Sequence, residues 1–154
     1  MNFIFYDNII INFEKNKNMI WQKEIMLGSY KRGIHLITNE LIDNLTNSHP
    51  SGLLNIFLKH TSAAIIINEN SDPLVRNDFN NFLNYLVPDN YKEFTHVFEG
   101  KDDMSAHIKS SILGQTINIP IVNGKLGLGI WQGIYLCEFR EHGGRRKIVL
   151  TIYS

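Results

Sequence analysis

Apolar positions along this chain fall mostly into short runs at strand spacing, separated by polar or glycine-containing turns. The most distinctive run is Ala63-Ala64-Ile65-Ile66-Ile67, continuous and rich in β-branched residues, which predicts a buried strand. Polar residues stand at both of its ends, His60-Thr61-Ser62 before it and Asn68-Glu69 after it. Trp21 to Leu27, Ile34 to Ile37 and Leu53 to Leu58 read as further strands. A helix is predicted over Glu40 to Asn47, with Leu41, Ile42 and Leu45 on one face and Thr38 or Asn39 as its N-cap. Asp72-Pro73 is a strong helix start, and Val75, Phe79, Phe82, Leu83 and Leu86 keep helical spacing after it.

The remaining third is richer in strands. Phe94 to Phe98 alternates as a strand does, and a short helix from about Met104 to Leu113 ends at Gly114. Thr116 to Ile119, Leu126 to Ile130, Ile134 to Phe139 and Lys147 to Tyr153 complete the pattern, punctuated by glycines that suit turns and bulges. About eight strands and three helices without βαβ alternation predict an α+β domain with largely antiparallel pairing. Residues 1–18 stand apart. Phe3 to Phe13 is apolar and strand-like, and Glu14 to Asn18 is polar. They read as an appendage, either an extra edge strand or an upstream start, with Met19 an alternative beginning. They have neither the basic flank nor the small-residue cleavage site of a secretory signal. The expected organisation is an extension over 1–18 and one domain over 19–154.

At 154 residues the chain is long enough for a substantial core. Lys+Arg and Asp+Glu number 15 each, so net charge offers no footprint for nucleic acid or an anionic membrane. No apolar run approaches the roughly 18 residues that a membrane helix requires. The single cysteine, Cys137, lies in an apolar run; it fits a buried residue in a reducing compartment and predicts a cytoplasmic location.

Three polar groups could carry chemistry: His60-Thr61-Ser62 with Asn68-Glu69, Asp102-Asp103 with His107, and Trp131-Gln132-Gly133 through Glu138, Arg140, His142 and Arg145-Arg146. Asp103 and His107 are four apart and would share a helix face. Each group has a plain structural alternative: a hydrogen-bonded histidine, acidic residues favoured at a helix start, and a basic hairpin tip. Zinc-binding Cys pairs, His-Glu-x-x-His, a phosphate-binding Gly-x-x-x-x-Gly-Lys and a nucleophile elbow are all absent from the sequence. The inventory of His, carboxylate and Arg suits acid–base work on, or binding of, a small anionic ligand, or a divalent metal.

The segments LKHTSAA through Asn68-Glu69-Asn70, EGKDDMSAHIKSS from Glu99 to Ser111, and Trp131-Gln132-Gly133-Ile134-Tyr135 resemble the YjbQ family, also labelled secondary thiamine-phosphate synthase. The resemblance covers Met19 to the C-terminus. Ser105 stands where the family usually has proline, and Ser can also start a helix. The resemblance implies an α+β fold with a β-sandwich-like core, assembled as a homotrimer. It implies a site with His60, His107 and Glu138 as catalytic residues. Thr61, Ser62, Asn68, Glu69, Asp103, Gln132 and Arg146 would bind substrate. Any metal, Mg²⁺ or Zn²⁺, would engage His60 and His107. The implied reaction joins a pyrimidine pyrophosphate to a thiazole phosphate, giving thiamine phosphate and pyrophosphate. The alternatives are a non-catalytic metabolite-binding module and a metal-dependent hydrolase.

Overall fold

The computed structural model describes residues 5–6, 9–10, 20–46 and 49–154. In chain order the strands are β1 (Phe5–Tyr6), β2 (Ile9–Ile10), β3 (Ile20–Ser29), β4 (Gly33–Leu36), β5 (Ser51–Leu58), β6 (Ala63–Glu69), β7 (Thr116–Val122), β8 (Lys125–Leu126), β9 (Gln132–Glu138) and β10 (Arg145–Tyr153). The helices are α1 (Thr38–Ile42), α2 (Pro73–Leu86) and α3 (Asp103–Leu113). Among the described residues all pairing is antiparallel: one sheet runs β3-β10-β5-β7-β8, another β4-β9-β6, and β1 pairs with β2. The α+β reading is therefore correct. The described part of the N-terminal stretch forms its own two-stranded ladder, not an added edge of the larger sheets.

Period-two alternation explains the five-stranded sheet. Leu54, Ile56 and Leu58 of β5, and Ile148, Leu150 and Ile152 of β10, point to one face. There they meet Ala63 and Ile65 of β6 and Ile134 and Leu136 of β9 from the smaller sheet. The continuous apolar run of β6 has a different cause. Its alternate residues Ala64 and Ile66 face a second cluster, built with Leu83 and Phe79 of α2 and Ala106 and Leu113 of α3. The smaller sheet is thus a middle layer, covered by the large sheet on one side and by helices on the other. A strand buried on both faces needs no polar alternation.

Cys137 of β9 sits in this second cluster. Burial pushes its thiol up to about 12. A thiol reagent at mildly alkaline pH is therefore expected to leave the native protein unlabelled and to react once denaturant is added. Rapid labelling without denaturant would show that β9 opens.

Asp72 caps α2 as expected, its Oδ1 accepting from the Leu74 N–H at 2.8 Å, with Pro73 in the first turn. Gly114 closes α3 at φ 93°. Four local expectations are corrected. The helix expected over Glu40 to Asn47 stops at Ile42, and Asn47 lies outside the described residues. Thr38 does not cap it: its hydroxyl accepts instead from the Ile134 N–H at 2.8 Å. Phe94 to Phe98 is irregular and pairs with no strand among the described residues, so it has no ladder there. The strand expected over Leu126 to Ile130 is only Lys125–Leu126, since Gly127 turns its N–H back to the Pro120 carbonyl and Gln132 holds the following turn.

Candidate functional site

The chain passes from the large sheet to the small one through residues 59–62, between the end of β5 and the start of β6. Helix α3 packs over that crossing. The Ser110 hydroxyl donates to the Ala63 carbonyl at 2.6 Å, and the backbone N–H of Ile65 donates to the Gly114 carbonyl at 3.2 Å. A cavity of about 580 Å³ opens there, lined by Phe57, Lys59, His60, Thr61, His107, Ser111 and Gln115 among others. His60 and His107, far apart in sequence, therefore face one space.

His107 is the pivot. Its Nδ1 lies 2.9 Å from the Thr61 carbonyl oxygen. A carbonyl only accepts, so Nδ1 carries the proton. Its Nε2 is 3.3 Å from Asp103 Oδ2, one helical turn away, as the spacing of four predicts. Asp103 is 1 % exposed, and the same oxygen is 2.7 Å from His96 Nε2. Its other oxygen contacts the Arg140 guanidinium. Arg140 also donates to Asp102 Oδ2 at 3.0 Å and to the Glu99 carbonyl at 2.6 Å. Burial favours the neutral form of Asp102, but the Glu141 backbone N–H and Arg140 outweigh it and hold its carboxyl below the usual range.

His60 is held differently. Its Nε2 accepts from the Lys147 N–H at 2.8 Å, and its Nδ1 lies 3.4 Å from Arg146 Nη1. Burial first, then Arg146, Lys147 and Lys59, lower its pKa against the opposing pull of Glu138. His60 is neutral near pH 7 and ties the β5–β6 crossing to β10. Behind it, Glu138 and Arg146 form a two-pronged buried ion pair, Nε to Oε2 and Nη2 to Oε1, each at 2.7 Å. The Arg140 N–H also donates to Glu138 Oε1 at 2.9 Å. Glu138 is fully buried, so it supports the site from behind and does not reach into the cavity.

A Cβ built on Gly143 falls onto the Glu138 carboxylate. Gly143→Ala is expected to displace that carboxylate and cost about 1–3 kcal/mol, read as a lower denaturation midpoint. An unchanged midpoint would show that this turn yields freely.

Among the substrate-binding expectations, Thr61 lines the cavity, Ser62 is buried beside it, and Arg146 stands behind His60. Asn68, Glu69 and Gln132 do not join them. Register pairs Ala63 with Glu138 at one end of the β6–β9 ladder and Glu69 with Gln132 at the other. Six residues of strand separate the ends by roughly 20 Å. At the far end Asn68 Oδ1 accepts from the Glu69 N–H, Glu69 Oε1 from the Asp72 N–H, and Gln132 Oε1 from the Gly129 N–H. Glu69 Oε2 is buried and has no hydrogen-bond partner among the described residues.

His96 was not among the expected site residues. It lies in the segment that alternates like a strand, where a histidine reads as one more exposed position.

A family model described as UPF0047 protein YjbQ-like matches residues 23–154. The chain belongs to this family. A UPF0047 protein YjbQ from Salmonella typhimurium is 48% identical over 136 residues, covering 87% of this chain and 98% of the relative. A UPF0047 protein from Methanocaldococcus jannaschii is 46% identical, covering 72% of this chain and 77% of its own. Among solved structures, an uncharacterised conserved protein of the YjbQ/UPF0047 family from Clostridium acetobutylicum superposes with TM-score 0.73 at 37% identity, covering 84% of this chain and 98% of that one. A YbjQ-like protein of unknown function from Sulfolobus solfataricus, at 20% identity and TM-score 0.77, shares the fold over 89% of this chain and 99% of its own. These UPF0047 relatives carry no stated reaction, so the chemistry is argued from the site.

Proposed function

We propose that this UPF0047 protein is an enzyme acting on a small anionic substrate bound in the cavity between His60 and His107. The observation that carries this reading is the position of His107. It faces an open cavity while its Nε2 lies against a buried carboxylate and its Nδ1–H is fixed by a carbonyl. With Nδ1–H committed to Thr61, Nε2, which makes only a long 3.3 Å contact with Asp103, is the ring nitrogen through which His107 would meet a substrate group. Lys59 lines this cavity and is the cation nearest an incoming anion; its ammonium is shared with Glu24 at 2.6 Å, and an anion would compete with that carboxylate for it.

The named candidate reaction is the one the resemblance implies, thiamine phosphate formation with release of pyrophosphate. A leaving pyrophosphate requires cationic stabilisation, which Lys59 would supply on leaving Glu24 and added Mg²⁺ would supplement. Purified protein given the pyrimidine pyrophosphate, the thiazole phosphate and Mg²⁺ is expected to form thiamine phosphate above a heat-killed control. No product would remove that reaction.

A second reading, a binding module without turnover, is favoured by Glu138, whose oxygens are both taken by Arg146, and by His60, whose Nε2 lone pair is taken by the Lys147 N–H. A phosphate or nucleotide that raises the melting temperature but is never converted would support it.

Assembly as a homotrimer belongs to the same proposal. The outer face of the large sheet exposes Leu53, Phe57, Val122 and Tyr153, an apolar set suited to self-association. A neighbouring protomer could then bring Asn68, Glu69 and Gln132 to the cavity, which one chain does not. Light scattering on eluted protein gives the mass directly, and a monomer would end this part of the proposal. The buried lone thiol fits a reducing, cytoplasmic setting, and no described helix is long and apolar enough to cross a membrane.

A further inference from the structure

We propose that His96, Asp103 and His107 form a site for one divalent transition ion of the Zn²⁺ type. One ligand atom from each of the three lies within 4.8 Å of the others. This deepens the reading of the same cavity mouth, but it depends on ligand geometry and not on the reaction named there.

The inference starts from the tautomer. With its Nδ1–H donated to Thr61, His107 turns Nε2 toward Asp103 Oδ2 at 3.3 Å. The other Asp103 oxygen meets Arg140. His96 Nε2 contacts Oδ2 as well, at 2.7 Å, so two imidazole nitrogens and one carboxylate oxygen converge on one place. One ion satisfies all three atoms at once.

The spacing agrees. A tetrahedral ion bound at about 2.0–2.1 Å sets its ligand atoms roughly 3.3 Å apart. The His107–Asp103 separation already matches, and the His96–Asp103 contact needs only to open slightly. His96 lies in the irregular segment and its side chain is 47% exposed, so it can move.

The outer shell is in place too. A metal-bound histidine characteristically donates its other N–H to a carbonyl, as His107 does to Thr61, and a ligating carboxylate is hydrogen-bonded in turn, as Asp103 is to Arg140. Two imidazoles and one carboxylate select a borderline transition ion over Mg²⁺, which prefers an octahedron of oxygens. Three protein ligands leave a position for water or substrate, and His107 sets that position beside the cavity. His60, whose Nε2 lone pair is taken by the Lys147 N–H, is outside the set.

The test is titration calorimetry of chelator-stripped protein with ZnCl₂ and, separately, MgCl₂. Wild type is expected to take up about one Zn²⁺ per chain and to show no saturable Mg²⁺ binding. His96→Ala is expected to weaken Zn²⁺ at least about 100-fold. His60→Ala should change it less than about twofold, with thermal unfolding confirming that both variants fold. Absence of saturable Zn²⁺ binding, wild-type affinity in His96→Ala, or an equal loss in His60→Ala would overturn the site. Affinity is read without turnover, so a failed thiamine phosphate assay leaves this result standing, and the reverse also holds.

Discussion

Replacing Arg146 with methionine is expected to destabilise the protein by about 3–5 kcal/mol. Glu138 is fully buried and Arg146 is 4 % exposed, and the two share both prongs at 2.7 Å. Removing the guanidinium leaves a carboxylate in the interior with the Arg140 backbone N–H as its remaining donor among the described residues. An uncompensated buried charge costs far more than the pair itself contributes. For a domain of this size the loss corresponds to roughly 10 °C in melting temperature. The control is the double variant Arg146→Met/Glu138→Met. With no charge left to bury, it should recover most of the stability, because well-packed apolar residues replace buried ion pairs at little cost. Calorimetric unfolding of wild type, single and double variants decides the matter. A double variant no more stable than Arg146→Met would show that the pair's geometry, not its charge balance, holds this corner together.

That ion pair also shows what the sequence could and could not reveal. Ala63 to Ile67 announces a buried strand because five apolar residues in a row leave no polar face, and the three-layer arrangement is the cause. Asp72-Pro73 announces α2 because a cap and a fixed φ act locally. These signals need no knowledge of neighbours. Glu138 and Arg146 are only eight apart, yet their pairing depends on β9 and β10 lying in different sheets, which no local pattern states. A glutamate that looked catalytic is instead enclosed.

The site was legible in part for the same reason. The Asp103–His107 spacing is helical and local, and their contact follows from it. The stretch from His60 to Glu69 looks like one constellation in sequence, but a strand carries its ends apart, so Asn68 and Glu69 land with Gln132 at the opposite edge. His96 was hidden because alternation over Phe94 to Phe98 suggests a strand, yet the segment pairs with none among the described residues. It reaches Asp103 only because the irregular segment brings it back over the start of α3.

His107→Ala is expected to lower turnover by about 10²–10⁴, measured first with the thiamine precursors as substrates. Its side chain is 31% exposed at the cavity mouth, so the loss should come with an intact fold. Asp103→Asn is expected to cost a comparable factor while keeping the shape of the side chain. The amide removes the charge that faces His107 Nε2 and His96 Nε2, and Arg140 keeps Asp102 and the Glu99 carbonyl as partners. Because the two residues act through the same imidazole, the double variant should be no slower than the slower single one. Two independent contributions would instead multiply. Full activity in His107→Ala, or multiplied losses in the double variant, would move the chemistry away from this pair. Loss in both single variants without further loss in the double would fix His107 and its buried carboxylate as one working unit.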